Sequence, residues 1–345
     1  MNPDWQNFLV GRGAMISAGI VQHFGDNAAE WHATANNTVL CDLHQFGALR
    51  VAGEDTQSFL QNLLSNDIRE VGTIRAQLSS FNSAKGRMLA SFLIWRDGAD
   101  YVLQLPSSLI DMMRKKLGMY VLRAKVTVTD ASDDVVMLGI AGTHVEKILN
   151  EILGEFQIQP YSSIDSAQGR VLKISDTRYQ IITTATQAES LWALLSLNAK
   201  PVGSACWDWL TIQSGIPTIV PETQDAFVAQ MVNFDVIGGI NFKKGCYPGQ
   251  EIVARTHYLG KLKRRMYLAH IDTMDTPKAG DELFSADLEG QATGMIANSS
   301  PSPSGGFDVL AVVQTSSQAS HTVHWKSIHG EALRFLPLPY LLPNL

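Results

Sequence analysis

Cysteine is scarce in this 345-residue chain: Cys41, Cys206 and Cys246 are the full complement. An odd, widely spaced set excludes a disulfide framework and a self-contained zinc site, and points to a reducing compartment. Positive charge is not in excess either. Lys and Arg number 27 against 33 Asp and Glu, a net charge of −6, so there is no global attraction to nucleic acid or to anionic membranes. Long apolar runs are missing. None reaches the roughly 18 residues of a membrane span. The best N-terminal stretch, around Ala14 to Val21, is broken by Ser17 and Gly19, and Asp4 comes before any basic residue, which makes a poor export or transit signal. A cytoplasmic protein without a membrane role is the expectation. Familiar catalytic signatures are lacking too: no Walker loop, no Gly-rich dinucleotide fingerprint, no His-Glu-x-x-His and no Cys-x-x-Cys. His144, His257, His270, His321 and His324 are scattered without ligand spacing and read as surface or satisfied histidines.

What remains is a globular composition, 45% apolar and 17% charged, long enough for two or three domains. Residues 1–40 are weakly patterned and read as an extension packed on the body. From residue 47 the pattern sharpens. Leu49 and Val51 alternate in a strand ending at Gly53, and Phe59, Leu60, Leu63 and Leu64 share a helix face that stops near Asn66-Asp67. Strand-like runs follow at 77–81, 88–95 and 101–105, and Ser107 is placed to cap a helix carrying Leu109, Ile110, Met113 and Leu117. The alternation recurs with strands near Val126–Val128, 135–141, 170–174 and 179–184. Thr143-x-x-Glu146 and Thr186-x-x-Glu189 read as capping boxes of two more helices. This order suggests α+β layers of ferredoxin-like character and a degenerate internal repeat. Ser204 opens a further helix that ends at Gly215, with Pro217 beyond it. After residue 260 the pattern changes to short β runs near 263–271, 280–285, 291–297, 307–314, 321–326 and 331–336, a small barrel or sandwich.

The chemistry concentrates in Lys243-Lys244-Gly245-Cys246-Tyr247-Pro248-Gly249-Gln250-Glu251. Pro248-Gly249 is a turn signal, and a short helix over 249–256 would put Cys246 just ahead of a helix N-terminus and beside two lysines. Both features favour the thiolate. A structural turn around an inert, buried cysteine is the competing reading. Lys243, Lys244, Arg255, Lys261, Lys263, Arg264 and Arg265 stand against the single acid Glu251, a basic stretch fit for an anionic tail, a phosphate backbone or an acidic partner, or else a solvated linker face. Trp207 and Trp209 lie two apart on one helix beside Gln213 and cannot share a face. One suits the core and the other a cavity for a flat heteroaromatic ligand, with plain packing of both as the alternative.

Residues 227–255, FVAQMVNFDVIGGINFKKGCYPGQEIVAR, closely resemble the signature of the bacterial YgfZ family. Its members are folate-binding proteins linked to tRNA modification and iron–sulfur enzyme maintenance, related to the T-protein (aminomethyltransferase) of the glycine cleavage system. The likeness extends over residues 48–67, 82–96, 138–142 and 207–217. It fades before residue 40 and is loose after 270, until the closing Pro337-Leu338-Pro339-Tyr340. The resemblance implies an α+β, T-protein-like folate-binding domain of two α/β lobes with a C-terminal antiparallel β-barrel, three lobes around a central cavity. The expected division is an N-terminal extension at 1–40, the folate-binding domain at 41–260 (lobes at about 41–122 plus 200–260, and at 123–199) and the barrel at 261–345.

The resemblance further implies tetrahydrofolate or a derivative as cofactor, with no permanently bound metal. The residues it points to are Phe46, Trp207, Gln213, Lys243, Lys244, Tyr247, Gln250, Glu251 and Arg255, with Cys246 as the reactive thiol. Trp207 matches a tryptophan of folate contact, and Phe46 stands where the family usually has tryptophan, keeping a stacking face without the indole N–H. Gln213 aligns with the glutamate that contacts the pterin in the T-protein. It can donate and accept but lacks the charge for a bidentate clasp. The segment 85–91, Lys-Gly-Arg-Met-Leu-Ala-Ser, supplies no carboxylate where the T-protein has its acid. Phe227-Val228-Ala229-Gln230 replaces Phe-x-Pro-Gln, an expected loosening of a turn. The implied role is an accessory factor for iron–sulfur enzymes such as tRNA-thiolating radical enzymes. The alternative is a tetrahydrofolate-dependent aminomethyl transferase, against which the missing carboxylates count. Direct tRNA binding has only the basic segment in its favour.

Overall fold

The computed structural model describes residues 1–258, 260, 262–288 and 290–343. In chain order, α1 (Pro3–Gly11), β1 (Met15–Ser17), β2 (Ile20–His23) and α2 (Asn27–Asn36) lead to β3 (Val39–Asp42) and β4 (Phe46–Ala52). Then follow α3 (Thr56–Gln61), β5 (Gln77–Asn82), β6 (Met88–Asp97), β7 (Asp100–Pro106), α4 (Ile110–Val121) and β8 (Thr127–Asp130). The next series is β9 (Val136–Ala141), α5 (Val145–Leu153), β10 (Ser162–Ser166), β11 (Gly169–Ser175), β12 (Arg178–Thr183), α6 (Ala185–Leu195) and β13 (Lys200–Val202). After α7 (Ser204–Gln213) and α8 (Gln250–Tyr258) come β14 (Arg264–Ile271), β15 (Glu282–Ser285), β16 (Ala292–Pro301), β17 (Phe307–Gln314), α9 (Thr315–Ser320), β18 (Val323–Trp325) and β19 (Leu333–Leu336). No helix among the described residues is long and apolar enough to cross a membrane.

The chain forms two compact units. The first is Met1–Thr56, Arg69–Gln77 and Leu93–Trp207; the second is Gln57–Ile68, Leu78–Phe92 and Asp208–Leu345. In the first, a six-stranded sheet runs β10-β11-β12-β9-β3-β13, antiparallel except for the parallel β13–β3 pair. Val136, Leu138 and Ile140 of β9 and Tyr179 and Ile181 of β12 occupy alternate positions, so they share one face. They bury it under α1, α5 and α6 through Leu9, Leu149, Leu191, Trp192 and Leu195. The same unit holds the order β6-β7-β4-β8, from Leu93 of β6 onward. The expected repeat is present in the topology. The order β4-α3-β5-β6-β7-α4-β8 recurs as β9-α5-β10-β11-β12-α6-β13, with β3 inserted between β9 and β13.

In the second unit, the antiparallel order β18-β15-β16-β17-β14-β19 makes a curled sheet whose edge strands meet at the bridge His324–Ala332. Alternation explains the nearly continuous apolar run of β17. Val309, Ala311 and Val313 fill the sheet's concave core with Ile271, Leu283 and Trp325. Leu310 and Val312 point the other way, onto Ile212, Phe227, Phe234 and Val253.

The elements expected from periodicity are present, but three local signals act differently. Ser107 lies in a 3-10 turn (Ser107–Leu109) and makes no side-chain cap. The Thr143/Glu146 box does not form: α5 has no side-chain cap, because Glu146 accepts instead from Tyr179 Oη at 2.6 Å and Lys173 Nζ at 3.3 Å. The Thr186/Glu189 box does not form at α6 either: the helix is capped two residues earlier by Thr184, whose Oγ accepts from Gln187 N. The weak pattern of residues 1–40 conceals α1, a hairpin and α2. Trp5 is fully buried, its Nε1–H donates to Asp42 Oδ1 at 2.7 Å, and its ring stacks on Phe8 and meets Trp192 edge-on. Trp5→Ala is expected to lower stability by about 3–5 kcal/mol in urea unfolding, the usual loss for a buried tryptophan. A loss under about 1 kcal/mol would make α1 a peripheral attachment.

Candidate functional site

At the C-terminal end of helix α3 the carbonyls of Ser58 and Leu60 are met by the N–H groups of the chain that follows, while those of Gln61, the last residue of the helix, and of Leu64 and Asn66 in the turn beyond it are met by Lys244. Lys244 is only 5% exposed, and its ammonium donates to Gln61 O at 2.6 Å, to Asn66 O at 3.1 Å and in a short contact to Leu64 O. A lysine has three N–H donors and a charge that suits a helix C-terminus, so these bonds match the group's capacity. The ring of Tyr247 stands 5.1 Å from the same Nζ, and burial pushes its phenol above the ordinary range. Lys244 and Tyr247 therefore anchor the chain on both sides of Cys246, which is the exposed one of the three cysteines; Cys41 and Cys206 are buried. Gln250 opens α8 four residues later, so the expected helix after the thiol is present.

The turn behind the thiol is fixed by two glycines. Gly249 has φ +75°, and a Cβ there would lie 2.4 Å from Gly86 Cα and from Ser83 O. Gly86 has φ +72°, and a Cβ on it would meet Ile252 at 2.9 Å. Each position requires glycine for conformation and for clearance. Arg87 holds the same loop by donating to Asp225 O and Ala226 O. Gln250 donates weakly to Lys244 O, whereas Lys243, Glu251 and Arg255 are exposed.

A second cluster, in the same unit, surrounds Asp308. This carboxylate is 4% exposed and receives Trp209 Nε1–H at 2.7 Å and Gln213 Nε2 at 2.9 Å, both on Oδ2. His270 Nδ1 lies 2.7 Å from Oδ1. The buried charge is thus met by three polar neighbours, as a buried carboxylate requires.

Phe46 and Trp207 belong to the first unit. Phe46 opens β4, half-buried, opposite Pro106. Trp207 is buried against the backbone of Gly139, where a Cβ would come within 2.6 Å of the indole, and the guanidinium of Arg178 lies 4.4 Å over its ring. Of the two tryptophans, Trp207 is therefore the core residue and Trp209 the polar one. The other sequence-derived residues, Gln213, Lys243, Lys244, Cys246, Tyr247, Gln250, Glu251 and Arg255, belong to the second unit.

The basic stretch is not one solvated face. Lys244 and Arg265 turn inward, Arg265 in a bidentate pair with Asp235 at 2.7 and 2.9 Å, while Lys243, Arg255 and Lys263 are exposed. Lys261 lies outside the described residues. The turn at 227–230 is not loosened by the absent proline. Ala229–Val232 forms a 3-10 turn closed by Asn233 at φ 63°, and Gln230 Nε2 donates to Val253 O. Asp308 and His270 as a pair went unread in the sequence. The available signal was a lone acid inside the apolar run of β17.

The family model of the GCVT N-terminal domain matches residues 20–235. The chain is 29% identical over 298 residues to the "tRNA-modifying protein YgfZ" of Edwardsiella ictaluri, covering 85% of this chain and 89% of that one. It is 28% identical over 306 residues to the protein of that name from Yersinia enterocolitica, covering 88% and 92%. It is 30% identical over 225 residues to that of Vibrio vulnificus strain CMCP6, covering 65% and 68%. Among solved structures, glycine cleavage system aminomethyltransferase T from Bartonella henselae superposes with a TM-score of 0.78 at 17% identity, covering 99% of this chain and 98% of that one. This identifies the fold as T-protein-like.

Lys244→Ala strands three carbonyls and is expected to lower stability by about 2 kcal/mol or more. Lys244→Arg should not rescue it, because a planar guanidinium cannot converge on carbonyls disposed around an ammonium. Lys243→Ala, one residue away but exposed, should change stability by less than about 0.5 kcal/mol. Denaturant midpoints of the three variants check this; equal losses at 243 and 244 would remove the anchoring role.

Proposed function

This chain belongs to the YgfZ family and carries its GCVT N-terminal domain, and from that premise we propose that it is a folate-binding accessory protein supporting iron–sulfur enzymes and, through them, tRNA modification. The observation that carries the reading is the display of Cys246: an exposed thiol on a loop whose neighbours Lys244 and Tyr247 are both buried. A loop selected only for folding has no need to exclude its one small hydrophobe from the core. A rigidly presented thiol can serve as a transient ligand for a cluster in transit. One thiolate cannot hold a cluster, which takes about four protein ligands, so the cluster is cargo in this reading.

The folate part of the reading is supported by the fit of Gln213. A pterin edge offers N–H donors and needs an acceptor. With its amide nitrogen on Asp308, Gln213 has its oxygen available. The wider set of Phe46, Trp207, Lys243, Gln250, Glu251 and Arg255, and the three-lobe division of the chain, belong to the same proposal. Aminomethyl transfer is the weaker reading. On β6, Ala90 is fully buried and Ser91 Oγ is occupied by Ile219 N–H at 3.0 Å, so the segment 85–91 offers no carboxylate for acid–base work. The effect on tRNA is then indirect, through the modifying enzymes.

In a strain lacking the endogenous protein, Cys246→Ser is expected to fail to restore thiolated tRNA. Its unfolding temperature should stay within about 1 °C of wild type, as for other exposed substitutions. Full rescue would overturn the role of the thiol. Anaerobic calorimetry with tetrahydrofolate is expected to show micromolar binding to the wild-type chain, and no binding would overturn the folate assignment.

A further inference from the structure

Asp308 does more than satisfy a buried tryptophan. Its Oδ2 receives the indole N–H of Trp209, a group that can only donate, so this oxygen serves as an acceptor. Gln213 approaches the same oxygen at 2.9 Å. A bare oxygen repels another oxygen, so the amide must present its nitrogen there. The other carboxylate oxygen is occupied by His270, which leaves Asp308 no freedom to turn away. Its strand is fixed in turn by pairing on both sides, with β14 and with β16. The Gln213 amide is thereby locked in one of its two orientations, with Oε1 directed away from Asp308 and taking no hydrogen bond from any described residue.

We propose that Asp308 is a positioning residue: by holding the nitrogen of Gln213, it makes position 213 present an oxygen acceptor and selects a ligand edge built of N–H donors. The amino–imino edge of a pterin is such an edge, so the inference rests on the folate reading above and deepens it. It also accounts for the amide at this position. A carboxylate at 213 would stand within hydrogen-bond distance of Asp308, and two carboxylates at that range cannot both ionise without a large penalty. A neutral amide gives the ligand the same acceptor and gives Asp308 a donor.

The probe is tetrahydrofolate, titrated anaerobically into the full chain. Asp308→Ala is expected to weaken binding about fivefold to tenfold, the net value of one hydrogen bond, and to have no further effect in a Gln213→Ala background. An equal loss in both backgrounds would show that Asp308 acts on the fold and not through Gln213, and would overturn the proposal. Should Asp308→Ala fail to fold, the ligand-free Gln213→Glu protein decides the matter. Its unfolding temperature should fall, and combination with Asp308→Asn should recover much of the fall by relieving the charge pair. No fall in Gln213→Glu would overturn the locked orientation. A wild-type chain that binds no tetrahydrofolate overturns the folate reading alone, while the ligand-free comparison still tests whether Asp308 orients Gln213.

Discussion

The ammonium of Lys244 is the contact on which the thiol loop depends. An ionised lysine is among the groups least tolerated in an interior, and it is retained only where its donors are met. Here the donors are met by the carbonyl of the last residue of α3 and by two carbonyls of the turn beyond it, so one group satisfies an irregular stretch of backbone and is satisfied by it. The arrangement joins two stretches nearly two hundred residues apart in sequence, and Asn66 and Ser65 reinforce it by donating to Gly238 O and Gly239 O. Lys244 and Tyr247 are both buried, and Cys246 between them is exposed.

The same logic explains the glycines around it. Gly249 and Gly86 approach each other so closely that neither could carry a side chain, and both adopt a left-handed backbone. A lysine-anchored loop without that second lock would keep its base but be free to swing at its far end. With it, the loop is held at 244, at 247 and at 249. The motif reads Lys-Gly-Cys-Tyr-Pro-Gly because nearly every position is either an anchor, a turn or the displayed group.

Much of the fold was legible in the sequence, because period-2 and period-3.6 patterns are local. The C-terminal strands fall within a few residues of their expected places, and the repeat shows in the order of elements. The N-terminal forty residues were not legible. The nine residues of α1 commit two side chains, Trp5 and Leu9, to the core, and the partner that explains Trp5 is Asp42, which no local pattern connects to it. The capping boxes misled for a related reason: Glu146 has a better offer from Tyr179 and Lys173 than from its own helix. At the site, the thiol motif stood out, but Lys243 and Lys244 are chemically identical neighbours with opposite fates. Only the position of the carbonyls at and just beyond the end of α3 separates them.

The Asp308 cluster shows how far a single charge reaches in a buried polar network. Trp209, Gln213 and His270 share one carboxylate, so the tautomer of the histidine, the flip of the amide and the setting of the indole are not independent. Position 213 can be read as a loss if it is compared only with a glutamate that clasps a pterin through two oxygens. Beside Asp308 the comparison changes. The site already contains a negative charge, placed one layer deeper and covered by donors, and a second one in contact with it would destabilise both. An amide is the group that can accept outward while donating inward. In the folate reading proposed above, the departure at 213 is a consequence of where the buried carboxylate is kept, and the orientation of the amide is set by a residue that need not touch the ligand.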